Sequence, residues 1–278
     1  MTLSIPAYAL IAALLFTSLL VLTSPFANAA DTTKDPEHWQ LGIGIGGQIL
    51  HDYRGSNQAH AKIIPVPILL HNGKFLKINR DGARGEFFNN HRVQIDISAD
   101  AALSGDSEDN HAREGMPSLD SAFELGPSMS VFLAGKSFDD GWSLRFPVRA
   151  VFTLNNWHME HQGYVFNPRF SFRKPQVFGG WGLGFSIGAL WGSRDNHTYY
   201  YTVDALYATD ARPAYQASGG YAGSYSKLST RRKIGDWLIG AYIRYDDLSG
   251  ATFEHSPLVK TQRYGAFGFG IGKTFWGF

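Results

Sequence analysis

Several short stretches carry residue types that could do chemistry. Gly42-Ile43-Gly44-Ile45-Gly46-Gly47 satisfies the G-x-G-x-x-G spacing of a pyrophosphate-cradling loop. That chemistry needs a strand before the glycines and a crossover helix after them. Here the glycines fall inside an alternating apolar run, so they read as small residues on the inner face of a strand. His158-Met159-Glu160-His161 places two imidazoles three apart with a carboxylate between them, in a predicted outer loop. Such a set could ligate a metal, but no further ligands cluster nearby in sequence. Asp106-Ser107-Glu108-Asp109-Asn110-His111 is an acidic stretch that suits solvent, with divalent cations as the sharper alternative. With 10 His and many Ser, chance nucleophile–base pairings are easy, and no serine stands out as activated. The expectation is a chain without catalytic residues, cofactor or metal.

A second set of candidates is spread along the chain. Arg92, Asp96, Asp100, Glu124, Arg145, Arg149, Arg169, Arg173 and Arg244 all fall opposite apolar residues in alternating runs. Charges of mixed sign on the inner faces of a closed sheet would form a salt-bridged plug. Arg outnumbers acid in this set, which leaves a narrow pore or a site for an anionic group as the alternative.

The elements that must position these charges are strands. In Trp181–Trp191 the odd positions are apolar, and Gly182, Gly184, Ser186 and Gly188 lie between them. The same period of two runs through 39–49, 93–101, 123–133, 142–154, 164–172, 237–245 and the closing strand. A strand that is apolar on one face, small or polar on the other, and tipped with Trp suits a bilayer touching one side of a closed barrel. Trp39, Trp142, Trp181, Trp191 and Trp237 are the expected membrane-interface aromatics.

Short connections rich in Gly and Asn alternate with longer polar ones at 51–60, 103–120, 155–162, 193–215 and 248–262. Short periplasmic turns and long outer loops are the barrel convention. The alternation predicts an all-β, antiparallel up-and-down transmembrane barrel of about twelve strands. Two of these are short strands flanking Asp81-Gly82; reading 74–88 as irregular would leave about ten. The loop 193–215 has room for a short helix or lid around Asp204–Tyr215. In the last strand Phe278 is out of phase with Phe267, Phe269, Ile271 and Phe275, and a bulge at Gly277 would restore the phase.

Composition agrees with this reading. The chain has 278 residues, 14% aromatic, with 31 Gly and no Cys. Mean hydropathy is only −0.18, as expected when every second strand residue is polar. A net charge of +1 gives no electrostatic case for nucleic acid. Leu10–Leu22 is an apolar run followed by Ala27-Asn28-Ala29, a cleavage pattern that predicts a signal peptide over 1–29 and a barrel domain over 30–278. Export would deliver the barrel to the outer membrane of a Gram-negative cell.

Tyr53-Arg54-Gly55-Ser56, Pro65-Val66-Pro67, Gly73-Lys74-Phe75, Tyr199-Tyr200-Tyr201, Ala214-Tyr215-Gln216-Ala217 and Ser256-Pro257-Leu258-Val259-Lys260 occur in the order found in one family. On these motifs the chain resembles the MipA/OmpV outer-membrane proteins. Lys273 departs from the pattern, where an aromatic is usual. The resemblance implies an outer-membrane barrel. It also implies, for some members, a scaffold joining a murein lytic transglycosylase to a bifunctional murein synthase. Other members are described as porin-like, osmotically responsive or adhesive. The family supplies no catalytic residues. Contact candidates for periplasmic partners are the basic turn Arg231, Arg232 and Lys233, and the segment Asp31–His38. Outward faces rich in Trp and Phe suit outer-membrane lipid as well as another barrel.

Overall fold

The computed structural model describes residues 39–72, 76–79, 82–102, 110–155 and 158–277. The predicted signal segment, the Asp31–His38 contact candidate and most of the acidic stretch at 106–111 lie outside the described residues.

Alternation of apolar and polar residues produces thirteen strands among the described residues: β1 (Trp39–His51), β2 (Ala59–Asn72), β3 (Leu76–Asn79), β4 (Gly82–Asn89), β5 (Val93–Ala102), β6 (Ala122–Ser137), β7 (Asp140–Asn155), β8 (His158–Phe166), β9 (Arg169–Phe178), β10 (Trp181–Gly192), β11 (Gly220–Ile234), β12 (Trp237–Asp247) and β13 (Arg263–Gly277). All pairings are antiparallel, and β13 pairs with β1 to close the ring. β8 and β9 lie end to end along β7, where Val148–Asn155 pairs with β8 and Gly141–Arg145 with β9. They form one stave broken at Asn167-Pro168, because proline lacks the N–H that would carry the ladder through. The ring therefore has twelve staves, the expected number. The two short strands flanking Asp81-Gly82 are present as β3 and β4.

The wall is inside out relative to a water-soluble protein. Ile43, Ile45, Ile63, Ile187, Ile243 and Phe269 are exposed on its outer face, whereas Gln94, Asp96, Ser128, Ser130, Arg145 and Arg149 are buried within. An apolar belt of this extent is stable only against hydrocarbon. Antiparallel pairing from strand to strand satisfies backbone N–H and C=O groups around the ring, as a bilayer demands, and is sparsest where β2 meets β3 at His71 and Asn72.

Four details differ from the expectations. The His158–His161 stretch is not in an outer loop: it opens β8, and the hairpin with β7 is tight. Arg231 is not in a turn. β11 runs on to Ile234, and the chain reverses at Gly235-Asp236, where Gly235 takes a positive φ that L-residues avoid. The long outer loop holds a short 3-10 helix at Ala205–Tyr207, within the expected Asp204–Tyr215 region, but its longer helix is α1 (Arg194–Tyr201), capped by Ser193 and lying before that region. The irregularity in β13 falls at Phe275, where Leu41 pairs with Trp276 and Gly42 with Thr274, rather than at Gly277.

Candidate functional site

Two regions hold polar side chains in fixed geometry: a folded cap over the loop end of the barrel, and the charged interior beneath it.

The cap has its own apolar core, built by Tyr53, Leu119, Tyr201, Val203, Leu248, Phe253 and Leu258 from four loops. The Tyr201 and Phe253 rings stack with centroids 3.6 Å apart. Hydrogen bonds then tie loop to loop. Tyr53 Oη donates to the Leu258 carbonyl at 2.7 Å, Tyr201 Oη to the Arg54 carbonyl at 3.0 Å, and Ser256 Oγ to the Tyr201 carbonyl at 2.7 Å. Asn110 Nδ2 donates to Asp52 Oδ2 and to Ser56 Oγ. Gly55, at φ +95°, offers its carbonyl to the Lys260 and Thr261 amides. Arg212 clamps the Ala112 and Glu114 carbonyls at 3.1 and 2.9 Å. Burial pushes the Tyr53 hydroxyl well above its ordinary value and that of Tyr199 up to about 12, so both stay protonated. His197 is buried, donates through Nδ1–H to the Ser218 carbonyl (2.7 Å), and is pushed below the usual imidazole range by desolvation.

Most of the motifs that carried the family resemblance meet here. Tyr53–Ser56, Tyr199–Tyr201, Tyr215 and Ser256–Lys260 are separate in sequence and joined in the cap. Their spacing could not reveal this, because each hydrogen bond links residues tens to hundreds of positions apart.

Below the cap the interior is a cavity of about 450 Å³. Among the described residues it is lined by eight arginine or lysine side chains against four carboxylates. Two of the acids, Asp100 and Glu124, sit on β5 and β6 and are taken up locally. Arg149 bonds Glu124 at 2.8 Å and Asp100 at 3.4 Å, and Arg145 reaches Asp96 at 3.6 Å. Asp246 is shared by Arg54 (3.0 Å) and Arg244 (2.6 Å) at the base of the cap. Arg173 pairs with Asp139 at 3.1 Å. Arg169 donates to the neutral Asn167 Oδ1 at 3.2 Å.

Of the expected interior charges, Arg92 departs: it is exposed in the turn before β5, outside the cavity. Arg231, expected at a turn, is buried and lines the cavity, as does Lys227, which sequence reasoning missed. The alternation of β11 carried the signal, since Tyr225, Lys227, Ser229 and Arg231 share a face. Arg232 and Lys233 remain at the turn end, with Arg232 lying 6.0 Å over the Trp181 ring. Trp142, Trp181 and Trp237 stand at the turn end and Trp191 at the loop end; Trp39 opens β1 at the turn end. Gly42–Gly47 lies within β1. The spacing Gly184-Phe185-Ser186-Ile187-Gly188 also matches a nucleophile elbow, but it runs through the middle of β10, without the strand-to-helix turn that would expose the serine.

Fold and interior together define a capped twelve-stave transmembrane β-barrel with a cation-rich lumen. The chain belongs to the MltA-interacting protein MipA family, which it matches over residues 43–275. Among solved structures it is similar to the translocator domain of the autotransporter NalP from Neisseria meningitidis, at 10% identity and TM-score 0.41, covering 97% of this chain and 98% of that one. It is also similar to an outer-membrane channel from Pseudomonas putida F1, at 10% identity and TM-score 0.38, covering 90% and 100%. No curated protein matches the sequence.

Proposed function

We propose that this barrel is a non-enzymatic scaffold in the outer membrane that holds murein-cleaving and murein-building enzymes against its periplasmic end. The family's description as a protein that interacts with MltA supports the partner class. The observation that carries the reading is the cap. Loops fastened across the outer end leave the turn end as the accessible face, and Arg232 and the exposed Lys233 stand there. The test is a pull-down of periplasmic murein hydrolases and synthases with the purified barrel. The scaffold reading expects enrichment over an unrelated barrel, reduced by Arg232→Glu together with Lys233→Glu; equal recovery on both barrels contradicts it.

One observation favours a second reading, a narrow channel: the lumen holds a cavity of about 450 Å³ lined by more cations than carboxylates. That reading expects conductance steps in planar bilayers. A silent bilayer with folded protein removes it.

A further inference from the structure

Two cations at the turn end face the membrane instead of the lumen. Arg231 lines the cavity, so alternation along β11 puts Arg232 on the outer face. Its guanidinium lies 6.0 Å from the centre of the Trp181 ring, beside the Gly179-Gly180 turn, which puts no side chain in the way. On β12, Tyr242 and Arg244 line the cavity, so Trp237 and Ile239 face outward. Lys273 of β13 is level with Trp237, and its Nζ lies 5.7 Å from the centre of that ring. The two pairs occupy neighbouring rows of one outer patch, since Arg232 is level with Ile239 and Ile234 with Trp237. With rows about 7 Å apart and strands about 4.8 Å apart, the Arg232 and Lys273 backbones stand roughly 12 Å from each other.

A cation on the outer wall is costly in hydrocarbon and close to neutral in cost only at the headgroup level. Among the described residues neither Arg232 nor Lys273 forms an ion pair or a side-chain hydrogen bond, and Asp236, the carboxylate of the β11–β12 turn, pairs with neither. The Trp rings hold the two cations in place and leave their charge uncompensated. The indole N–H groups of Trp181 and Trp237 also lack a protein acceptor among the described residues. Four donors thus share one outward patch. One row nearer the bilayer centre, Ile271 and Ile45 are level with each other, exposed and apolar. A ligand with an anionic head and apolar tails matches that order, whereas a soluble anion would use the donors alone.

We propose that this patch binds an anionic phospholipid of the periplasmic leaflet. The headgroup phosphate is taken up by Arg232 and Lys273, the indole N–H groups of Trp181 and Trp237 add uncharged donors, and the acyl chains run along the isoleucine rows. A headgroup that carries a cation of its own, such as choline, brings positive charge to a positive patch and binds less well. Lys273 stands where an aromatic is usual, so the second cation is a feature of this chain. The inference rests on the barrel standing in a bilayer with its turns in the periplasm. The scaffold reading also uses Arg232, but its readout is recovered protein. Here the readout is retained lipid with no protein partner present, so either can fail alone.

The test is native mass spectrometry of the folded full chain released from a neutral detergent, after equilibration with equal amounts of phosphatidylglycerol and phosphatidylcholine. Retained phosphatidylglycerol should exceed retained phosphatidylcholine. Arg232→Gln together with Lys273→Gln should weaken phosphatidylglycerol binding about thirtyfold, and Lys273→Gln alone about fivefold. Lys136→Gln, exposed near the β6–β7 turn, should leave it unchanged. Excess glycerol phosphate, which has the anionic head without the chains, should not displace the lipid. Folding of each variant is checked by heat-modifiable gel migration, and if the double variant fails to fold the single one decides. Equal retention of the two lipids, retention untouched in a folded Lys273 variant, a loss as large at Lys136→Gln, or displacement by glycerol phosphate overturns the proposal.

Discussion

Arg149 holds both Glu124 and Asp100 while almost wholly buried. Removing one partner from such a cluster leaves its carboxylates uncompensated, at a typical cost of about 3 kcal/mol. Arg149→Met should therefore lower the urea midpoint of the folded barrel, and Arg149→Lys should recover part of the loss. Equal midpoints for wild type and Arg149→Met would contradict the ion-pair account. In the cap, Tyr53→Phe strands the buried Leu258 carbonyl and should cost about 1–2 kcal/mol, read as faster proteolytic nicking of the 248–262 loop. The alternation of residues gave the inward direction of Arg145, Arg149 and Arg169 directly. It misplaced Arg92 and Arg231 because side-chain period says which face a residue takes, not where the strand stops. A basic run such as Arg231-Arg232-Lys233 looks like a turn until pairing with Gly182 and Gly240 carries the strand through it.

The strands were legible because each one alternates on its own, and no distant contact is needed to see that. The cap was not, because its loops lack periodicity and hold together through long-range bonds such as Tyr53 to Leu258 and Arg54 to Ala222. Its stability should depend on pH. Burial, with the Arg54 guanidinium adding to it, keeps His197 neutral below its ordinary value of 6.5. Below that pH an opened loop takes up a proton that the closed cap refuses. Cap stability is thus full above about 6.5 and declines as the pH falls towards the depressed value. Limited proteolysis of the 193–219 loop should accelerate between pH 7.5 and 5, and His197→Gln should flatten that dependence. A second element-level expectation concerns the closing seam. A Cβ on Gly44 would stand 2.7 Å from the Ile271 carbonyl oxygen and 2.9 Å from the Gly272 Cα, both backbone atoms of β13. Gly44→Val should hinder ring closure and reduce the heat-modifiable folded band, whereas the same change at Gly115, which has open space but a positive φ, should act only on the 110–121 loop.

At the scale of the molecule, the inverted wall and the cap divide the barrel into two ends with different roles. The loop end is fastened shut by packing and hydrogen bonds. The turn end carries the Trp rim and the basic pair Arg232-Lys233. This polarity rests on the convention that long loops face outward, and the Cys-free sequence allows it to be measured cleanly. Leu206 is highly exposed on the cap, and Lys233 is exposed at the turn end. Single Leu206→Cys and Lys233→Cys variants, treated in intact cells with a membrane-impermeant maleimide, test the arrangement directly. The account predicts labelling at position 206 in intact cells, and at position 233 only after the outer membrane is permeabilised. Labelling at 233 in intact cells, or protection of 206, would contradict a barrel capped on the outside and available to partners from within.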